Sequence, residues 1–169
     1  RFQFSPGADR GQSTVTALRM ELEWTDRTTD QVLALRSRLS VGLDALGATI
    51  HAEDDVPDGR FVAWLGQFQM VRRLNERGLQ VLTRLDVQLA SSPLLPLEQI
   101  VVGGRYSVRG YRENQLVRDN AVIGSVEARL PVVRNTFWAD VVELASFVDV
   151  GTAWNTKLAT PDPRTLYSI

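Results

Sequence analysis

Apolar and polar residues alternate with a period of two over long stretches of this chain. Residues 14–24 put Thr14, Thr16, Leu18, Met20, Leu22 and Trp24 on one side, and Val15, Ala17, Arg19, Glu21 and Glu23 on the other. Residues 32–44 set Leu33, Leu35, Ser37, Leu39, Val41 and Leu43 against Ala34, Arg36, Arg38, Ser40, Gly42 and Asp44. Residues 79–89 set Leu79, Val81, Thr83, Leu85, Val87 and Leu89 against Gln80, Leu82, Arg84, Asp86 and Gln88. Successive side chains of a strand point to opposite faces, so each run is a strand with one oily and one polar face. Residues 60–72, 121–130 and 140–151 follow the pattern less cleanly, and a seventh strand begins at Thr165. The fold class is all-β.

These runs are long. They cover roughly 10 to 13 residues, where about 9–11 tilted residues cross a bilayer core and soluble strands average about 5–6. The connections alternate in length. Those at 26–30, 75–78 and 134–139 are short; those at 47–59, 91–120 and 152–164 are long and rich in Gly, Pro, Asp and Asn. Outer-membrane barrels have short periplasmic turns and long external loops. With the short turns periplasmic, Trp24, Phe137 and Trp138 fall at the inner interface, and Trp64 and Trp154 near the outer one, as aromatic girdles do. A soluble sandwich or barrel shows the same alternation, with its oily face as core. Strand length, loop asymmetry and tryptophan placement favour the membrane. No apolar run reaches the about 20 residues of a membrane helix.

Nineteen basic residues against 20 acidic ones leave a net charge of −1. Nucleic-acid binding needs a basic surplus, so no nucleic-acid partner is expected. With no cysteine and one histidine, thiolate and histidine-rich metal sites are excluded. Glu53, Asp54, Asp55 and Asp58 form an acidic loop without EF-hand spacing, which reads as solvated. His51 lies in that loop and receives no role. No nucleophile–base constellation is present, so no catalytic residue, cofactor or metal is assigned and the chain is not read as an enzyme.

The longest connection carries the specific signal. It holds Leu97-Glu98-Gln99, then Gly103-Gly104, then Val108-Arg109-Gly110-Tyr111. Arg112-Glu113-Asn114 and Asp119-Asn120 follow, and then a strand with Glu127, Arg129 and Pro131. The next upward strand contains Phe147-Val148-Asp149-Val150-Gly151. The V-R-G-[FY] motif, followed one hairpin later by F-x-D-x-G, resembles the BamA/TpsB superfamily of outer-membrane barrels. The flanking L-E-Q-x-x-x-G-G, R-E-N-x(4)-D-N and E-x-R-x-P resemble its two-partner-secretion branch, the FhaC/ShlB-type transporters. The resemblance covers residues 79–169 well; residues 1–78 match by barrel patterning.

The resemblance implies an antiparallel transmembrane β-barrel in the bacterial outer membrane. Counting from the motif loop as the sixth external loop, residues 1–169 are a C-terminal portion, about strands eight to fourteen of a sixteen-stranded barrel. Arg1 and Ile169 are then expected to be internal, with periplasmic POTRA domains and the last strands outside the chain. The implied function is a pore that passes an unfolded partner protein to the cell surface without ATP. Its partners would be that polypeptide and the lipid bilayer. A BamA-type factor that inserts barrel proteins is the alternative. The connection 91–120 is expected to fold inward, with Arg109 gripping Asp149. A planar guanidinium grips a carboxylate with two hydrogen bonds and stays charged. Phe147, Asp149 and Gly151 share a parity with Glu143, the polar face. Gly110 permits a tight turn, Gly151 lets the loop backbone come close to the wall, and Phe147 and Tyr111 offer rings around the pair. The plainer reading is an exposed Arg109 and a solvated Asp149. Asp119 and Asn120 are read as shaping the return from the loop. Arg19, Glu21, Arg36, Arg38, Arg84 and Asp86 are read as lumen charges that keep a pore hydrated.

Overall fold

The computed structural model describes residues 12–53, 55–135, 137 and 140–169. Expectations that fall on Arg1, Asp54 and Trp138 lie outside them. Six long strands follow the alternating segments: β1 (Thr16–Arg27), β2 (Gln31–Leu43), β3 (Val62–Arg73), β4 (Gln80–Ala90), β7 (Asn120–Arg134) and β8 (Val141–Trp154). A short β9 (Thr165–Ser168) follows, and all seven form one antiparallel sheet in the order β1-β2-β3-β4-β7-β8-β9. Sequence neighbours pair throughout, apart from the step from β4 to β7, which skips a two-stranded hairpin. That hairpin, β5 (Ile100–Val102) and β6 (Leu116–Arg118), lies inside the connection expected to be a plain loop. Three-residue strands are too short to show a period of two, so periodicity could not reveal them.

Register fixes the two faces. Leu18, Met20, Leu22 and Trp24 stand opposite Val41, Leu39, Ser37 and Leu35. Leu39 and Leu35 then meet Trp64 and Phe68, which meet Leu89 and Leu85 of β4. The row continues through Val122 and Val126 to Thr152 and Val148. In the central strands this apolar face is the exposed one: Leu85 and Val148 are 41% and 55% accessible. The opposite face carries Glu21, Arg36, Gln67, Asp86, Ser125 and Asp149, and there Asp86 and Asp149 are buried. A soluble sandwich would bury the oily face and expose the charged one. The reverse occurs because the long connection 91–119 lies over the polar face. Two small apolar clusters lie on that side. One joins Val102, Val108 and Leu116 of the connection to Ala121, Ile123, Ala153 and Leu166 of the wall. The other joins Phe61, Ala63 and Leu94 at the long-connection end.

The strand β7 runs farther than its alternation predicts, to Arg134, with a register shift between Pro131 and Val133. Proline has no N–H to give the ladder, and a bulge absorbs that loss. Trp64 lies on the oily face across Gly66, where an added Cβ would come within 2.6 Å of its ring, and its indole N–H donates to Ser37 Oγ at 2.9 Å. The exposed Trp24 and Phe137 lie at the short-turn end.

Candidate functional site: the latched connection

Asp149 sits on the polar face of β8, paired across the ladder with Ser125 of β7, and is 0% accessible. A carboxylate so enclosed must be compensated. Arg109 supplies this from the tip of the connection. Its Nε donates to Asp149 Oδ2 and its Nη2 to Oδ1, both at 2.7 Å, a two-pronged grip. The backbone N–H of Arg109 adds a third bond to Oδ2 at 3.1 Å, and Ser125 Oγ donates to Oδ1 at 2.7 Å. Nη1 turns to Glu127 Oε2, and Arg129 Nε holds the other oxygen of Glu127 at 2.5 Å. The Arg109 Cζ lies 3.5 Å from the centroid of the Phe147 ring, stacking the cation on an aromatic face. The bond to Asp149, followed by that to Glu127, raises the guanidinium pKa above its already high value, so the cation persists at any physiological pH.

Apolar packing seats the same tip. Val102 and Val108 are fully buried against the wall. A Cβ on Gly151 would lie 2.5 Å from Val102 Cγ1 and 2.9 Å from Val108 Cγ2. Gly151 therefore makes room for two loop side chains, rather than for the loop backbone as the sequence suggests. Gly110 has φ of 84°, the left-handed conformation that favours glycine. Tyr111 departs from expectation. It is exposed, and its hydroxyl donates to the Tyr167 carbonyl of β9 at 3.3 Å instead of lying against the ion pair. Tyr111 points toward β9, so Phe147 is the ring that covers the cation.

Two residues read as background hydration, Arg84 and Arg19, touch the connection directly. Arg84 of β4 donates through Nη1 to the Tyr106 carbonyl and through Nε to Asp86 at 2.5 Å, and Gln67 donates to the other Asp86 oxygen at 2.7 Å. Arg19 of β1 pairs with Glu98 at 2.5 Å. Arg36 stays on the wall, bonded to Glu21 at 2.7 Å. Nothing in strand alternation marks Arg84 or Arg19, since their partners lie far away in sequence. Glu127 reads from the sequence as a polar-face residue beside Ser125 and Arg129 and as part of the E-x-R-x-P strand, but nothing there marks its bond to Arg109. Asp58, expected in a solvated loop, is buried and held by Arg60 at 3.0 Å. A cavity of about 600 Å³ remains between the tip and the wall, lined by Arg84, Arg109, Arg129, Glu127, Tyr106 and Phe147.

With this geometry in place, sequence comparison decides the lineage. A profile of the family described as haemolysin secretion/activation protein ShlB/FhaC/HecB matches residues 9–166. The chain belongs to this family. The ShlB/FhaC/HecB match separates the two branches that share V-R-G-[FY] and F-x-D-x-G, and it falls on the secretion side. Among solved structures, CdiB from Escherichia coli is similar in fold, with a TM-score of 0.75 at 23% identity. The alignment covers 95% of this chain and 30% of CdiB, so this chain spans under a third of that protein. No curated protein sequence gives a significant match.

Proposed function

We propose that this chain forms part of the wall of an outer-membrane pore that passes an unfolded partner protein, and that its long connection gates the lumen. The observation that carries this is the Arg109 latch, in which a tip cation is bound to a fully buried acid on the polar wall. Membership of the ShlB/FhaC/HecB family supports transport of a polypeptide. The exposed oily face, with Leu18, Met20 and Leu22 standing in a row, supports a lipid environment. The edges of β1 and β9 each have a neighbour on one side only among the described residues. Lipid cannot satisfy bare strand edges, so the sheet is proposed to close into a barrel with strands from the rest of the protein. Residues 1–169 would then be a partial barrel domain. Insertion of other barrel proteins is the less favoured reading, since the family match falls on the secretion branch.

On this proposal the latch holds the tip across the lumen and its release opens a path. A double-mutant cycle with Arg109→Ala and Asp149→Ala in the full-length protein tests it, read as secretion of the partner. Removing Arg109 leaves a buried carboxylate unpaired, at a cost of about 3–5 kcal/mol, less where water enters the lumen. The expected result is that each single change alters secretion strongly and the double change adds little. Strictly additive effects would refute the latch.

A further inference from the structure

The return from the connection, at Asp119 and Asn120, is more heavily bonded than a turn requires. Asp119 is 1% accessible. Its Oδ1 accepts from the Leu94 N–H at 3.0 Å and from Gln99 Nε2 at 2.9 Å, and its Oδ2 accepts from the Thr156 N–H at 2.8 Å. Among the described residues it has no ion-pair partner. Neutral N–H donors therefore compensate the carboxylate, and they come from two separate stretches of chain. The Asp119 carbonyl accepts from Gln88 of β4 at 3.1 Å, and the same amide donates to the Glu98 carbonyl at 3.0 Å. Asn120 continues the cluster. Its Oδ1 accepts from the Ala90 N–H at 2.8 Å and its Nδ2 donates to Thr156 Oγ1 at 2.8 Å. The cluster thus ties β4, the outgoing limb, the returning limb and the connection after β8 into one unit.

The tip leaves this unit through left-handed residues on both limbs. Gly103 and Gly104 have φ of 109° and 100°, and Asn114 has φ of 57°. Among the described residues, the polar bonds that hold residues 103–114 to the wall are those of Arg109, the Arg84 bond to the Tyr106 carbonyl and the Tyr111 hydroxyl.

We propose that Asp119 is the positioning residue that fixes the root of the connection, so that residues 103–114 release as a separate tip while the root stays in place. The inference rests on reading the connection as a gate, but its test does not require transport. Hydrogen exchange at single-amide resolution on the full-length protein in lipid vesicles reads root and tip separately. With Arg109→Ala, the Gly104 and Arg109-position amides should exchange faster by about 100-fold, while those of Leu94, Ala90 and Thr156 stay as in the parent. With Asp119→Ala, Leu94 and Thr156 should quicken by a similar factor. Asp119→Asn, which keeps the size but loses one acceptor, should release one of those two amides and guards against failure of the alanine variant to assemble. Root and tip quickening together in Arg109→Ala would overturn the proposal, as would unchanged Leu94 and Thr156 in both Asp119 variants. Secretion measured on the same Arg109→Ala protein keeps the two readings apart. Unchanged secretion beside a freed tip and protected root would count against the gate and still support a fixed root.

Discussion

At the scale of single residues, the site depends on one cation serving two acids. Asp149 takes Nε, Nη2 and a backbone N–H, whereas Glu127 takes Nη1 alone and shares itself with Arg129. The two acids are therefore unequal. Asp149→Asn should loosen the tip more than Glu127→Gln, which weakens a single charge-assisted hydrogen bond to the tip, roughly 1.5–3 kcal/mol. Protease cleavage within residues 103–114 of the full-length protein measures the difference; equal cleavage of the two variants would contradict this ranking. Gly151 makes a second residue-scale prediction. A leucine there has no room beside Val102 and Val108, so Gly151→Leu should expel the tip even with both acids intact. Cleavage of this variant should match that of Arg109→Ala, and a parental pattern would show that the wall yields instead.

At the scale of elements, each strand has two environments that tolerate different substitutions. Leu22 stands mid-strand on the exposed oily face of β1 and Arg38 on the opposite face of β2. Leu22→Lys should cost about 2–4 kcal/mol on folding into a bilayer, as a charge at the midplane does, while Arg38→Gln should cost far less. Denaturant-dependent folding of the full-length protein into vesicles gives both values. Comparable costs would mean the oily face does not meet lipid. The connection shows the limit of pattern reading. The family resemblance carried by the two motifs implies Arg109 and Asp149 as partners. The β5–β6 hairpin and the Arg84 contact had no sequence mark, since a three-residue ladder has no period and Arg84 resembles every other wall charge.

At the scale of the molecule, the fold inverts a soluble protein: the oily face is outside, and buried acids lie beneath a folded-in connection. The full-length protein should therefore fractionate with the outer membrane and need detergent for extraction. Recovery from the soluble fraction without detergent would overturn the lipid reading. The chain aligns with 30% of CdiB, and on the proposed reading strands from the rest of the protein complete the barrel.

The sequence by itself determined the strands, their two faces, the alternation of short and long connections and the two motifs that identify the lineage. These are local properties, written in period-two spacing and in residues adjacent along the chain. Tertiary structure decided which wall charges meet the connection, that Tyr111 points to β9, that Gly151 receives side chains, and that Asp119 gathers donors from two distant stretches. Those contacts join residues tens of positions apart, such as Arg19 with Glu98 and Asp119 with Thr156. Such pairings exist only once register and the inward course of the connection are set. Periodicity decides which face a side chain takes, while the folded path decides what it meets there.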